Sequence, residues 1–583
     1  MLFCLLLAAE WVPSADPLPP PAAGWGAFVE DVNGDGVPEL GSVSHGTVPV
    51  WVEARDGLTP LAHPFGEKER DDRHAMVPCD IDGDGLDEVV VAMGGGKGTK
   101  SNLSFILWSE GDGWRVEPLD ATAGLRGRGL SCVDLDGDDQ PELYFPGHGA
   151  KTADMLLVHE GEAWVDRAAE WGLQRMGNTF GGLWEDLDGD GDLDLVRLED
   201  GQVVLLLQSE GVFAPAPVQP DNKAVRDIAM GDVDNDGDMD LYFARGGFFD
   251  DAVGDQGARL HLRKDTTDTV TWQYPDTCKQ AFIRAQGDFS GKQARMRVAD
   301  GRAQQQFALN FNEKFADIPE GEGLLLWLDP DLRTVHVMGM GLQGRVTLTL
   351  DCSRGEGEPT LLLADVKTRK VTEKQDMLWL NDGSGQFTAG TLPPMEDVGT
   401  GHAQFVDVDL DGDLDLFLVT EATPGTLNNA PDVLLLNDNG TFYGAPNWVN
   451  PDREPIVEGQ FGVAVDLDGD RYPELLAFNG AYPRNQAGRT ALWANPGGDN
   501  GWVSVSATRD GADSLGARIT VEAGGVTQTR LANPHPDFRS NGSQALVFGI
   551  GEAQSAKVTV RYPDGRTKVV RRVKPNTDVV VDR

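Results

Sequence analysis

Basic residues are scarce in this 583-residue chain: 49 lysines and arginines stand against 94 aspartates and glutamates, a formal charge of −45. That balance excludes nucleic acid and anionic membrane as principal partners, because both demand basic surfaces. Cysteine is scarce too. Beyond Cys4 there are Cys79, Cys132, Cys278 and Cys352, none in a Cys-x-x-Cys pair, which removes a thiolate metal site. Long apolar runs are missing. Met1 to Ala9 is too short to cross a bilayer and no later stretch reaches about 18 apolar residues, so no membrane span is expected. The nine histidines are scattered, with no HExxH, and there is no G-x-S-x-G and no RGD. These absences remove the zincin, α/β-hydrolase and integrin-ligand readings. Met93 to Lys100 is glycine-rich but lacks G-K-S/T and a following helix, so it reads as a loop and not a phosphate cradle.

What the chain has in abundance is glycine, 72 residues, and aspartate in a fixed pattern. Its length exceeds one compact core and predicts two to four domains. An acidic motif recurs seven times, starting at Asp31, Asp80, Asp134, Asp186, Asp232, Asp407 and Asp466, with spacings of 49, 54, 52, 46, 175 and 59 residues. A second element follows each motif, an apolar strand running into a polar turn, as in Phe105-ILWSEGDG, Met377-LWLNDGSG and Val433-LLLNDNG. β-branched and aromatic runs such as Glu88-VVVAM and Asp240-LYFA read as buried strands. Units of about 50 residues, all β and repeated seven times, predict a seven-bladed β-propeller with one unit per blade.

The 175-residue spacing reads as an insertion. The fifth acidic hairpin ends near Gly247 and its partner strand begins at Met377, so 251–375 is expected to be a β-sandwich inserted in blade five. The domain plan is a signal-like apolar segment with a Pro-rich linker over 1–22, propeller over 23–250 and 376–497, and a small β domain over 498–583. An apolar start without a span predicts export, hence a secreted, extracellular or periplasmic protein, and a monomer is expected. Four remaining cysteines allow three pairings; Cys278 and Cys352, near the two ends of the insertion, are the preferred one.

The motif reads D-x-D/N-x-D-G-x-x-D/E, with oxygen side chains at positions one, three, five and nine. Calcium takes six to eight oxygens, and alternate positions of a tight loop converge on one point. The expected ligands, in the order one, three, five, seven (through its carbonyl) and nine, are Asp31, Asn33, Asp35, Val37 and Glu39; Asp80, Asp82, Asp84, Leu86 and Glu88; and Asp134, Asp136, Asp138, Gln140 and Glu142. They continue with Asp186, Asp188, Asp190, Asp192 and Asp194; Asp232, Asp234, Asp236, Asp238 and Asp240; Asp407, Asp409, Asp411, Asp413 and Asp415; and Asp466, Asp468, Asp470, Tyr472 and Glu474. Position nine is expected to chelate with both oxygens, and glycine at position six to supply positive φ. Strands flank the loop and its last acid comes at nine instead of twelve, which excludes an EF-hand. Up to seven Ca2+ ions are expected. The loops from Asp80, Asp186, Asp232 and Asp407 should bind best; Asn33 weakens the first, and Asp139 and Arg471 replace glycine in two others.

These repeats resemble FG-GAP or VCBS repeats, the calcium-binding blades also found in integrin α-subunit heads. The C-terminal segment, with Leu515-GARITV, Phe548-GIG and Val560-RYPDG, resembles the ASPIC/UnbV domain. The pairing is the layout of the cartilage acidic protein 1-like family, and implies an extracellular calcium-binding protein. Asn533-PHPDFRSNGSQ departs from that domain's usual serine-rich stretch, and the 251–375 segment is not a standard part of the family.

For function, the residues favour a secreted binding or adhesion module, with calcium as a structural staple. An exported enzyme on the same scaffold, a polysaccharide lyase or small-molecule cyclase, is the alternative. Arg259, Arg263, Lys264, Lys279, Arg284, Lys292, Arg295 and Arg297 crowd the first half of the insertion. On so acidic a chain they point to an anionic polysaccharide, or else an extracellular protein, as partner.

Overall fold

The computed structural model describes the chain apart from residues 1–10, 16–23, 45–49, 55–57, 63, 66–71, 96–101, 111–112, 218–222, 246–251, 255–256, 263, 265, 290–291, 312–314, 367–374, 395–398, 421–431, 447, 449–457, 482–485, 488–489, 533–539 and 542–545. It is an all-β protein. Helical structure among the described residues is confined to short 3-10 turns such as Asp120–Thr122, and no described helix is long and apolar enough to cross a membrane.

Each acidic loop joins the first two strands of its own antiparallel sheet. In the second such sheet the order is Arg73–Cys79, Glu88–Met93, Phe105–Glu110 and Gly113–Pro118. The run EVVVAM of Glu88–Met93 is buried throughout because both faces of its sheet are covered. Val89 and Val91 pack with Phe28 and Trp51 of the sheet before, while Val90 and Ala92 pack with Leu143 and Phe145 of the sheet after. The period-two alternation of the strand therefore divides two apolar neighbours instead of core and solvent.

Sheets of the same kind begin with Gly24–Glu30, Ser131–Val133, Asp227–Gly231, Thr400–Val406 and Glu458–Val465. One more is built around Met176–Glu185, with His148–Ala153 added at its edge. Consecutive sheets share apolar cores: Tyr144 with Trp184 and Leu206, Val196 with Ile228 and Phe243, Tyr242 with Leu416 and Phe442, and Phe417 with Leu475 and Trp493. The seventh sheet packs in turn on the first, through Phe461, Val463 and Leu476 against Ala27, Leu40 and Val52.

The outermost strand of the seventh sheet comes from the other end of the chain. Val12–Ala15 pairs antiparallel with Ala491–Ala494, and the buried Trp11 meets Trp448 edge-on at 5.6 Å, with Trp448 stacked on Trp493 at 4.8 Å. Part of the 1–22 leader and linker thus serves as a strand; its apolar run Met1 to Ala9 lies outside the described residues.

In the fifth sheet Asp240–Ala244 pairs directly with Met377–Asn381. Between them in sequence, residues 252–365 form two further sheets around a core of their own that includes Leu260, Trp272, Ile283, Leu326 and Leu348. Cys278 and Cys352, on paired strands there, form a disulfide. Among the expected cations, Lys264, Lys279 and Arg295 are exposed. Lys279 donates to the Asp276 carbonyl, Arg284 to the Gln306 side chain, and Arg297 to the carbonyls of Glu320 and Glu322. The side chains of Arg259, Arg263 and Lys292 lie outside the described residues. From Gly501 onward two four-stranded sheets enclose a separate core with Val505, Ile519, Phe548, Val560 and Tyr562.

A second disulfide, Cys79–Cys132, ties the first strand of the second sheet to the first strand of the third, immediately beside their acidic loops. Its sequence separation of 53 residues predicts a contribution of about 4 kcal/mol from the restricted unfolded chain. Cys79→Ala/Cys132→Ala should shift the guanidinium unfolding midpoint downward accordingly; an unchanged midpoint would mean the bridge adds nothing to the fold.

Candidate metal centres

All seven loops share one skeleton. The backbone is left-handed at position four, where Gly34, Gly83, Gly137, Gly189, Asn235, Leu410 and Gly469 have φ between 57° and 81°. It is left-handed again at position six, where Gly36, Gly85, Asp139, Gly191, Gly237, Gly412 and Arg471 have φ between 68° and 105°. Sequence reasoning found the second of these and missed the first, although glycine at position four in five of the seven loops was the signal.

Hydrogen bonds then fix the side chains. One oxygen of each position-nine carboxylate (Glu39, Glu88, Glu142, Asp194, Asp240, Asp415, Glu474) accepts the N–H of position two at 2.8–3.2 Å. In the last four loops its other oxygen accepts an N–H from the third strand or the residue just after it, that of Gln208, Asn381, Asn437 and Asn495 at 2.7–3.3 Å. So position nine acts first as a bolt between loop and sheet, and in those four loops both its oxygens already serve the backbone. Three of these residues do more. Asn381, Asn437 and Asn495 donate their side-chain amides to Leu187, Val233 and Val408, each at position two of the preceding loop, at 2.7–3.1 Å. These latches between neighbouring loops were visible as the asparagines of LWLN, LLLN and LWAN, and sequence reasoning passed over them.

The structure brings together positions one, three and nine. Asp80, Asp82 and Glu88 place ligand atoms within 4.8 Å of one another, as do Asp134, Asp136 and Glu142; Asp186, Asp188 and Asp194; Asp232, Asp234 and Asp240; and Asp407, Asp409 and Asp415. Position five stands outside these trios and has a backbone task. Asp35, Asp84, Asp138, Asp190, Asp236, Asp411 and Asp470 each accept the N–H of position seven (Val37, Leu86, Gln140, Asp192, Asp238, Asp413, Tyr472) at 2.8–3.0 Å. In the first loop Asn33 donates its amide to Glu39 at 2.5 Å, a hydrogen bond where other loops set carboxylate against carboxylate. In the seventh, the Arg471 guanidinium lies 3.9 Å from Asp466.

Crowding and burial leave these acids short of positive charge. Asp234 Oδ1, Asp407 Oδ1 and both oxygens of Asp232 are buried with no hydrogen-bond partner among the described residues. Burial pushes the carboxyls of Glu39, Glu88, Glu142 and Asp240 up to about 8, and Asp194 and Glu474 to about 7. It likewise lifts Asp407 to about 8 and Asp232 to about 7, and raises Asp415 well above the usual range. Such groups need a proton or a cation. Their all-oxygen donor set fits a hard cation.

The pH dependence follows. A carboxyl whose folded-state pKa exceeds its unfolded value stabilises the fold fully below the unfolded value, and that stabilisation is lost as pH rises through the folded value. The chelated protein should therefore melt progressively lower between pH 5 and pH 8, while a metal-saturated one does not. A chelated melting temperature that climbs over that window would contradict the crowding of positions one, three and nine.

Comparison with known proteins agrees with this geometry. A family model described as FG-GAP-like repeat matches residues 31–91, 80–145 and 186–243. Those stretches take in the first five loops; the sixth and seventh share the same hydrogen bonds. The model described as ASPIC and UnbV matches 507–583. Cartilage acidic protein 1 of Homo sapiens and of Mus musculus are each 30% identical over 121 residues, 19% of this chain. The match spans only 17% and 18% of the length of those two relatives. A solved structure concerning recognition of non-reducing terminal N-acetylglucosamine by an Agrocybe aegerita protein covers 72% of this chain and 92% of its own, at 14% identity and a TM-score of 0.28, too slight a likeness to carry an argument. The chain thus carries FG-GAP-like repeats over 31–145 and 186–243, followed by an ASPIC and UnbV domain over 507–583.

Proposed function

We propose that the chain is a secreted calcium-binding protein whose seven sheets close into a seven-bladed β-propeller, with a β-sandwich inserted in the fifth blade, and that it works as a binding or adhesion module. The observation that carries this reading is the recurring trio of carboxylates at positions one, three and nine, with buried oxygens lacking donors in the fifth and sixth loops. Calcium suits it because the ligands are all oxygen and the extracellular setting of FG-GAP relatives supplies that ion in quantity. Ring closure is supported by the apolar core that the seventh sheet shares with the first.

A binding role is favoured over catalysis by the lining of a cavity beside the loops. Between the loop face and the C-terminal domain lies a cavity of about 800 Å³ lined in part by Trp184, Glu185, Gln404, Phe405, Asp407 and Arg530. Two of its charged groups are engaged by the protein itself: Glu185 pairs with Arg518 at 2.5 Å, and Arg530 donates to the Val547 carbonyl. A third, Asp407, belongs to the sixth acidic trio. An anionic polysaccharide remains the partner that the exposed Lys264 and Arg295 of the 252–365 sheets would suit.

Calcium at a hundredfold excess over its dissociation constant should add about 2.7 kcal/mol per site to stability. Thermal melting with calcium and with chelator tests this, and equal midpoints would remove the calcium reading. The sites should also be unequal. Asp188→Ala should lower the bound calcium by one ion and lower the melting temperature, while Asp468→Ala, in the loop of Arg471, should do much less; equal losses would overturn the ranking.

A further inference from the structure

The C-terminal domain rests on the acidic loops. The end of its Leu546–Gly551 strand meets the sixth: the Gly549 N–H donates to Asp407 Oδ2 at 3.2 Å and the Gly551 N–H to the Leu410 carbonyl at 3.0 Å. Gln528 steadies that strand end by donating to the Gly549 carbonyl at 2.6 Å. The fit leaves no slack. A methyl group at Gly549 would overlap Asp407 Oδ2 and the Leu410 backbone, and Leu410 itself is held at φ 57°, a conformation leucine avoids.

Other contacts of the domain fall on position six of further loops. Arg518 donates to the Gly237 carbonyl at 3.0 Å while pairing with Glu185. Asp139 pairs with Arg509 and Arg583, and Arg471 with Asp578 at 2.9 Å. These are the two loops that lack glycine at position six. Their residues keep the left-handed backbone and add an ion pair to the domain above. At the second loop, where glycine is retained, a Cβ on Gly85 would lie 2.9 Å from the Gly511 carbonyl. Position six is thus a docking position as well as a turn.

We propose that the C-terminal domain is a calcium-dependent clasp, seated on the loaded sixth loop and loosened when that loop gives up its ion. The inference rests on the calcium reading above. Gly549 and Gly551 address positions one and four of the loop, and the relative placement of those positions depends on whether Asp407, Asp409 and Asp415 are drawn together on one cation. Without it, Arg530 alone offsets Asp407 and the three carboxyl groups within 4.8 Å have no common partner, so the loop loosens. Docking in turn holds Leu410 in the bound shape. By linkage, whatever factor calcium adds to docking, docking adds to calcium affinity.

The test uses the full chain. Calorimetric titration with calcium is run beside hydrogen exchange of the Gly549 and Gly551 amides, in calcium and in EGTA. Calcium should slow exchange at these two amides about tenfold, a typical coupling, while the core amides of Val505 and Val521 change little. Calcium uptake with unchanged exchange at Gly549 and Gly551 overturns the clasp and leaves the metal reading standing. No uptake at all overturns both. Gly549→Ala should weaken one calcium site about tenfold and spare the others. Should that variant fail to fold, Gln528→Ala provides the milder case: faster exchange at Gly549 with weaker binding at one site supports the clasp, and wild-type values for both contradict it.

Discussion

In every loop the carboxylate that opens the second strand turns back to accept the N–H of the loop's second residue. This one hydrogen bond, made seven times, sets the shape of the whole face. It closes a nine-residue turn tightly enough to need left-handed backbone twice, and it draws positions one, three and nine into one small volume. A turn so built gathers several carboxylates at one point, and the backbone N–H groups that meet them carry no net charge. Some positive charge must therefore be supplied, and the loop face is arranged around that need.

Two sources of positive charge suit that need. One is a cation, which the all-oxygen trios could hold. The other is the C-terminal domain, whose Arg518, Arg530, Arg509 and Arg583 reach towards Glu185, Asp407 and Asp139. The domain's arginines sit where the loops depart from the common pattern or crowd most closely. Arg530, partly buried over the Phe548 ring at 4.5 Å, interacts electrostatically with Asp407 and Asp232. The repeat sheets and the C-terminal domain are accordingly one electrostatic unit, although each has its own apolar core. The short strand Ser540–Asn541, paired in parallel with Ala27 and Phe28, adds a backbone join between them.

Much of this was legible in the sequence because the signals were local. Aspartates at fixed spacing, glycine at position six and strands such as EVVVAM specify a turn between two buried strands, and the structure has that turn in all seven places. The Cys278–Cys352 bridge was legible for a similar reason, since each cysteine lies near one end of a stretch lacking the motif. What escaped was non-local. Arg471 and Asp139 looked like defects in their loops, because their partners Asp578, Arg509 and Arg583 lie over a hundred residues away. Val12–Ala15 looked like linker, because a strand that completes a sheet at the far end of the chain carries no sign of its partner. Position five looked like a ligand alone by its alternation, but a carboxylate that can reach the N–H two residues ahead makes that bond as well.

The central claim is that the trios at positions one, three and nine hold calcium. A crystal grown in calcium, with anomalous differences collected at long wavelength, measures it most directly. Peaks are expected in the loops from Asp80, Asp186, Asp232 and Asp407, each about 2.3–2.6 Å from oxygens of positions one and three. Loops with no anomalous peak, and with water or a lysine or arginine side chain filling the space between those carboxylates, would contradict it.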